Sequence, residues 1–184
     1  QPNDRSRSAS SSPSRETLGL AEDGVVFAAF NAPWKFNASV FDAWARVLAS
    51  TPRAQLWLLA RGRGDGDPVI ANVGRELGSR GIARPRIVFA SRRAEPDYLA
   101  LYRHADVFLD TWPYNAHTTA SDALWMGCAV VTWLGETFAG RVGASLVDAA
   151  GVAELAAADV DGYVALAIAL AADPSRRARL REDR

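Results

Sequence analysis

The stretch DVFLDTWPYNAHTTASDALWMG, Asp106 to Gly127, decides the fold. Three apolar residues, Val107-Phe108-Leu109, lead into Asp110 and a turn-rich loop, Thr111 to Ala116. A polar run, His117-Thr118-Thr119, then opens a helical pattern. A buried strand that delivers the chain through a short loop to a helix N-terminus is the repeating unit of parallel α/β domains. In such domains ligands sit at the carboxyl ends of the strands, where helix N-termini present free N–H groups and the positive end of the dipole. Two readings of the polar run stand side by side. Thr119-Ala-Ser-Asp122 fits an [ST]-x-x-[DE] capping pattern that needs no ligand. Capping leaves His117, the second threonine and the Pro113-Tyr114-Asn115 loop unexplained, and these suit a diphosphate.

The same unit recurs outward from this stretch. VVFAAF (25–30), QLWLLA (55–60), IVFA (87–90) and AVVTWL (129–134) read as strands, and none alternates polar with apolar. Continuous apolar runs of this kind predict a parallel sheet covered on both faces. Asn37 is placed to cap a helix whose Val40, Trp44, Val47 and Leu48 share one face. Residues 68–81 read as a helix with Pro at its start and Gly at its end. Further helices are expected near 96–104, after His117, around Ser145, at 161–173 and at 174–184. The prediction is a doubly wound, Rossmann-like α/β domain over residues 21–184. Residues 1–20, rich in Ser and Arg, read as a poorly ordered linker rather than a transit peptide.

Composition narrows the function. Lys and Arg number 21 and Asp and Glu 21, giving zero net charge, which argues against nucleic acid as the main partner. No apolar run approaches the roughly 20 residues of a membrane span. The single cysteine, Cys128, lies in an apolar run and excludes an internal disulfide, so a reducing, cytoplasmic setting is expected. With two histidines and no clustered carboxylates, no metal site is expected. RGRGDGDP (61–68) lacks the G-x-G-x-x-G spacing and the Walker lysine, and Asp65-Gly66-Asp67 reads as a surface turn. A dinucleotide oxidoreductase is disfavoured on the same ground. No G-x-S-x-G is present, and Glu136 reads as a helix cap. Lys35, in FNAPWKFN just past the first strand, is a second candidate for binding the same anion.

Taken together, Asp106–Val147, FNAPWKFN, QLWLL and the opening QPNDR strongly resemble the O-GlcNAc transferase family, glycosyltransferase family 41, in the right order. The resemblance covers nearly the whole chain and implies the carboxyl-terminal, donor-binding half of a GT-B catalytic core. It implies an inverting, metal-independent transfer from a UDP-GlcNAc-like donor to Ser or Thr hydroxyls of a protein or peptide, with no cofactor. An amino-terminal catalytic half and tetratricopeptide repeats would be partners outside this sequence. The catalytic base would lie there too, leaving this half alone inactive.

By position, the resemblance places Lys35, Thr118 and Thr119 on the diphosphate. Lys35 would stabilise the leaving group, His117 would lie by the diphosphate and sugar, and Asp122 would hold the ribose. Departures fall at Ala32, where the family commonly has Gln or Asn, and at Glu95, Tyr98 and Leu101, where animal enzymes have Lys, His and Arg. Tyr98 could stack on the base, and Arg93 or Arg103 could replace the lost charge. Two alternatives follow: a nucleotide-sugar-binding module without turnover, or a transferase using another UDP- or GDP-sugar.

Overall fold

The computed structural model describes residues 6–60, 62 and 66–182. Six strands form one parallel sheet: β1 (Val26–Ala29), β2 (Gln55–Ala60), β3 (Ile87–Ser91), β4 (Val107–Leu109), β5 (Ala129–Trp133) and β6 (Ala156–Ala157). Their order across the sheet is β3-β2-β1-β4-β5-β6, with Phe27 opposite Leu56 on one side and Val107 on the other. The chain winds outward from β1 in both directions, so the crevice between β1 and β4 is the topological switch point. Strands β1, β4 and β5 are buried along their whole length, which is why their sequences show no alternation.

Local signals set the helices. In α1 (Ala38–Ser50), Asn37 caps by accepting from the Val40 N–H, and Val40, Trp44, Val47 and Leu48 are all buried. Helix α2 (Pro68–Gly78) starts on Pro68 and is capped by Asp67. It closes with the Ile82 N–H on the Leu77 carbonyl and the Gly81 N–H on that of Gly78. Gly81 takes φ +81°, the left-handed conformation this closing motif requires. The remaining helices are α3 (Glu95–Leu101), α4 (Thr118–Trp125), α5 (Val142–Ala149), α6 (Val160–Ala172) and α7 (Pro174–Glu182). Strand β6 was not expected, since two alanines in an Ala-rich run carry no strand signal. Among the described residues, no helix is long and apolar enough to cross a membrane.

Residues 6–20 hold no helix or strand but lie against the domain. Leu18 and Leu20 are buried, the Ser10 N–H donates to the Pro96 carbonyl, and the Ser12 hydroxyl bonds His104 and the Ala100 carbonyl. Asp65, the first residue of the rejected Asp-Gly-Asp turn, lies outside the described residues; Asp67 caps α2.

Candidate functional site

The site is built at the carboxyl ends of β1 and β4. After β1, Asn31 is buried; its amide donates to the Leu109 carbonyl at 3.4 Å, tying the two strand ends together. A 3-10 turn over Pro33–Lys35 then lifts Lys35 to the rim. After β4, Asp110 is fully buried and accepts from the Thr111 and Ala116 N–H groups (2.7 and 2.5 Å) and from the Thr132 hydroxyl (2.7 Å). Burial outweighs these donors and pushes its carboxyl up to about 7. Asn115, also buried, bonds the Thr111 carbonyl through its amide and receives the Gly143 N–H at 3.2 Å. These bonds brace the eight-residue loop, 110–117, between strand and helix.

The opening of α4 overturns the capping reading. Thr119 is the second residue of the helix and not its cap. The N-cap is His117, whose own side chain makes no capping hydrogen bond. The Thr119 hydroxyl donates instead to Asn31 Oδ1 at 3.1 Å, because the buried amide at the end of β1 competes for it. The first turn of α4 therefore offers the positive end of its dipole at the sheet edge. Glu136 is exposed and does not cap; Thr137 beside it does, accepting from the Gly140 N–H.

The predicted residues fall into two adjoining groups. Lys35 donates to the Asn115 carbonyl at 2.7 Å and sits 4.3 Å from the centre of the Tyr114 ring. Partial burial lowers its pKa, partly offset by Asp110. Tyr114 stacks on His117 at 5.1 Å, and His117 meets Phe138 edge-on. His117 Nε2 is buried and has no partner. Burial, with Lys35 adding to it, holds this imidazole below its usual pKa, and so neutral at pH 7. Thr119, Asp122 and Tyr98 form the second group, in a cleft of about 400 Å³ that Asn31, Ala32, Trp34, Arg92 and Arg93 also line. Tyr98 turns its hydroxyl inward onto Tyr102 at 2.6 Å, leaving its ring to the cleft. Thr118 heads α4 between the two groups.

Sequence reasoning did not single out Asn31, cited Asn115 only as part of the Pro113-Tyr114-Asn115 loop, and treated Asp110 only as the end of a strand. A polar residue directly after an apolar strand was the available signal for Asn31 and Asp110. The guanidinium beside Glu95 and Asp122 belongs to Arg7, 2.9 Å from Asp122, rather than to Arg103, which donates to the Ser10 carbonyl. Arg93 does line the cleft. Among the described residues, no three His, Cys, Asp or Glu side chains gather as a metal cluster.

A doubly wound parallel sheet with its cleft and helix terminus at the switch point defines a Rossmann-like α/β domain. Residues 4–183 match the model of glycosyl transferase family 41. The chain is 38% identical over 168 residues to a UDP-N-acetylglucosamine–peptide N-acetylglucosaminyltransferase of Caenorhabditis elegans, covering 91% of this chain and 14% of that protein. It is 33% identical over 142 residues to a probable enzyme of the same name, SEC, from Arabidopsis thaliana, covering 77% of this chain and 14% of the relative. An O-GlcNAc transferase mutant of Thermobaculum terrenum superposes with a TM-score of 0.81 at 38% identity, over 94% of this chain and 33% of that one. A UDP-GlcNAc 2-epimerase from Neisseria meningitidis shares the fold alone, with a TM-score of 0.61 at 9% identity. The chain belongs to glycosyl transferase family 41. It spans about one seventh of the length of these two curated relatives.

Proposed function

We propose that this domain is the donor-binding half of an inverting, metal-independent protein O-glycosyltransferase that moves a sugar from UDP-GlcNAc to Ser or Thr hydroxyls. The observation that carries the reading is the α4 N-terminus, opened by His117 and placed beside a half-buried lysine at the switch point. Glycosyl transfer leaves negative charge on the departing diphosphate. A cation and a helix terminus fixed before the reaction lower that cost, because no dipole has to reorient as the charge develops. Lys35 uses one ammonium proton on Asn115 and keeps donors for phosphate oxygens. The neutral His117, whose Nδ1–H is held by the Ala139 carbonyl, keeps an unpartnered Nε2 that suits the sugar–diphosphate junction as an acceptor for a sugar hydroxyl, without adding charge. Asp122 is placed for the ribose hydroxyls and the Tyr98 ring for the base.

The acceptor groove and the catalytic base are assigned to an amino-terminal half outside this sequence, since GT-B chemistry occurs between two halves. The reading is tested by incubating the full-length protein with UDP-GlcNAc and a Ser/Thr peptide, with and without EDTA. UDP release matched by β-linked product, unchanged by EDTA, is expected. Binding of UDP without turnover would leave a non-catalytic module, and turnover of GDP-sugars alone would refute the donor assignment.

A further inference from the structure

The N-terminal segment reaches Asp122, which lines the same cleft. Arg7 places its guanidinium between two carboxylates, pairing with Glu95 on α3 and with Asp122 Oδ1 on α4 at 2.9 Å. The Asp122 side chain is 4% exposed, and that of Arg7 only 15%. The rest of the arm holds Arg7 there. Ser10 bonds Asp97 at 2.6 Å, Arg103 donates to the Ser10 carbonyl at 2.8 Å, and Ser12 bonds His104.

A nearly buried carboxylate is costly unless paired. Without Arg7, the nearly buried Asp122, with Glu95 beside it, would bring an unpaired negative charge to a cleft read as taking an anionic nucleotide. Asp122 lines that cleft while spending Oδ1 on Arg7, so its second oxygen remains as an acceptor. We propose that the N-terminal arm is a working part of the donor site, with Arg7 as a positioning residue that fixes Asp122 for the ribose hydroxyls and neutralises the carboxylate pair. The inference rests on the donor-site reading above and adds to it a segment that lies outside the sheet and its helices.

Chemical groups around Asp122 set the pH signature. Arg7 approaches from the arm, Glu95 and Tyr98 from α3, Tyr102 from just past its end, and Arg92 and Arg93 line the same cleft. Burial raises the Asp122 carboxyl and Arg7 pulls it down, so removing Arg7 leaves the upward push unopposed. The acid limb of nucleotide binding then moves to higher pH.

The test is calorimetric titration of UDP into the full chain across pH 5–8, for wild type, Arg7→Ala, Arg7→Lys and Asp122→Asn, and for Arg7→Ala combined with Asp122→Asn. Arg7→Ala is expected to weaken UDP about tenfold at pH 7 and to shift the acid limb upward, with Arg7→Lys recovering most of the loss. In the Asp122→Asn background, Arg7→Ala should add less than twofold, because it acts through that carboxylate. UDP binding by wild type with Arg7→Ala within twofold of it at every pH would overturn the arm's role and leave the donor site standing. Failure of wild type to bind UDP at all would overturn both.

Discussion

Replacing Gly143 with Ala tests whether the loop that carries His117 and receives Lys35 on its Asn115 carbonyl is as tightly braced as the structure has it. A Cβ built at Gly143 lies 2.5 Å from Thr132 Oγ1 and closer still to Asp110 Oδ2. Neither atom belongs to a flexible side-chain end, since each holds the other in a buried 2.7 Å hydrogen bond. Gly143 has no left-handed φ, so Ala gains helix propensity of up to about 1 kcal/mol. Against this stand overpacking, about 1–3 kcal/mol, and a buried carboxylate losing its hydroxyl donor, about 1–3 kcal/mol. The clash wins, with a net loss of roughly 2–4 kcal/mol. Urea unfolding followed by circular dichroism should show a lower midpoint at unchanged slope. The melting temperature should fall by roughly 5–15 °C at this chain length. Gly78→Ala is the control: it sits in α2 with nothing within 4 Å of the added carbon, and should be neutral or slightly stabilising. If Gly143→Ala behaves like Gly78→Ala, the packing of α5 against Asp110 is loose and the bracing argument fails.

Asp110 has a folded pKa of about 7, above the roughly 3.9 of an unfolded chain, so its contribution to stability is fully present below about pH 4 and lost as pH rises through 7. Asp110→Asn should remove that decline from the pH dependence of unfolding; an identical slope in the variant would show that burial does not control this carboxyl. His117→Ala should cost the fold about 1 kcal/mol, the worth of its ring contacts, yet reduce sugar transfer by the full-length protein at least tenfold. A large fall in melting temperature with unchanged UDP affinity would make His117 a core residue instead.

What could be read from the sequence was local. Strands of continuous apolar residues, the Asn37 cap, Pro68 at a helix start and Gly81 at its close each act within a few residues, and the structure has them in place. The competition for Thr119 is not local. Its spacing to Asp122 fits a cap, but Asn31, 88 residues earlier, takes its hydroxyl once β1 and β4 lie side by side. Asp110, Thr132 and Gly143 likewise converge from three elements, and no spacing rule links them. Arg7 was hidden for another reason. An arm without periodicity carries no pattern, and its place is set by the carboxylates it meets.

The central claim is that Lys35 and the α4 N-terminus grip a diphosphate. Calorimetric titration of UDP and of uridine into the full chain, wild type and Lys35→Ala, tests it most directly. Loss of one charge-assisted contact should weaken UDP by about 1.5–3 kcal/mol, roughly 10- to 150-fold, and leave uridine within twofold. Equal weakening of both ligands would place Lys35 in support of the fold or the base, and would contradict the diphosphate site.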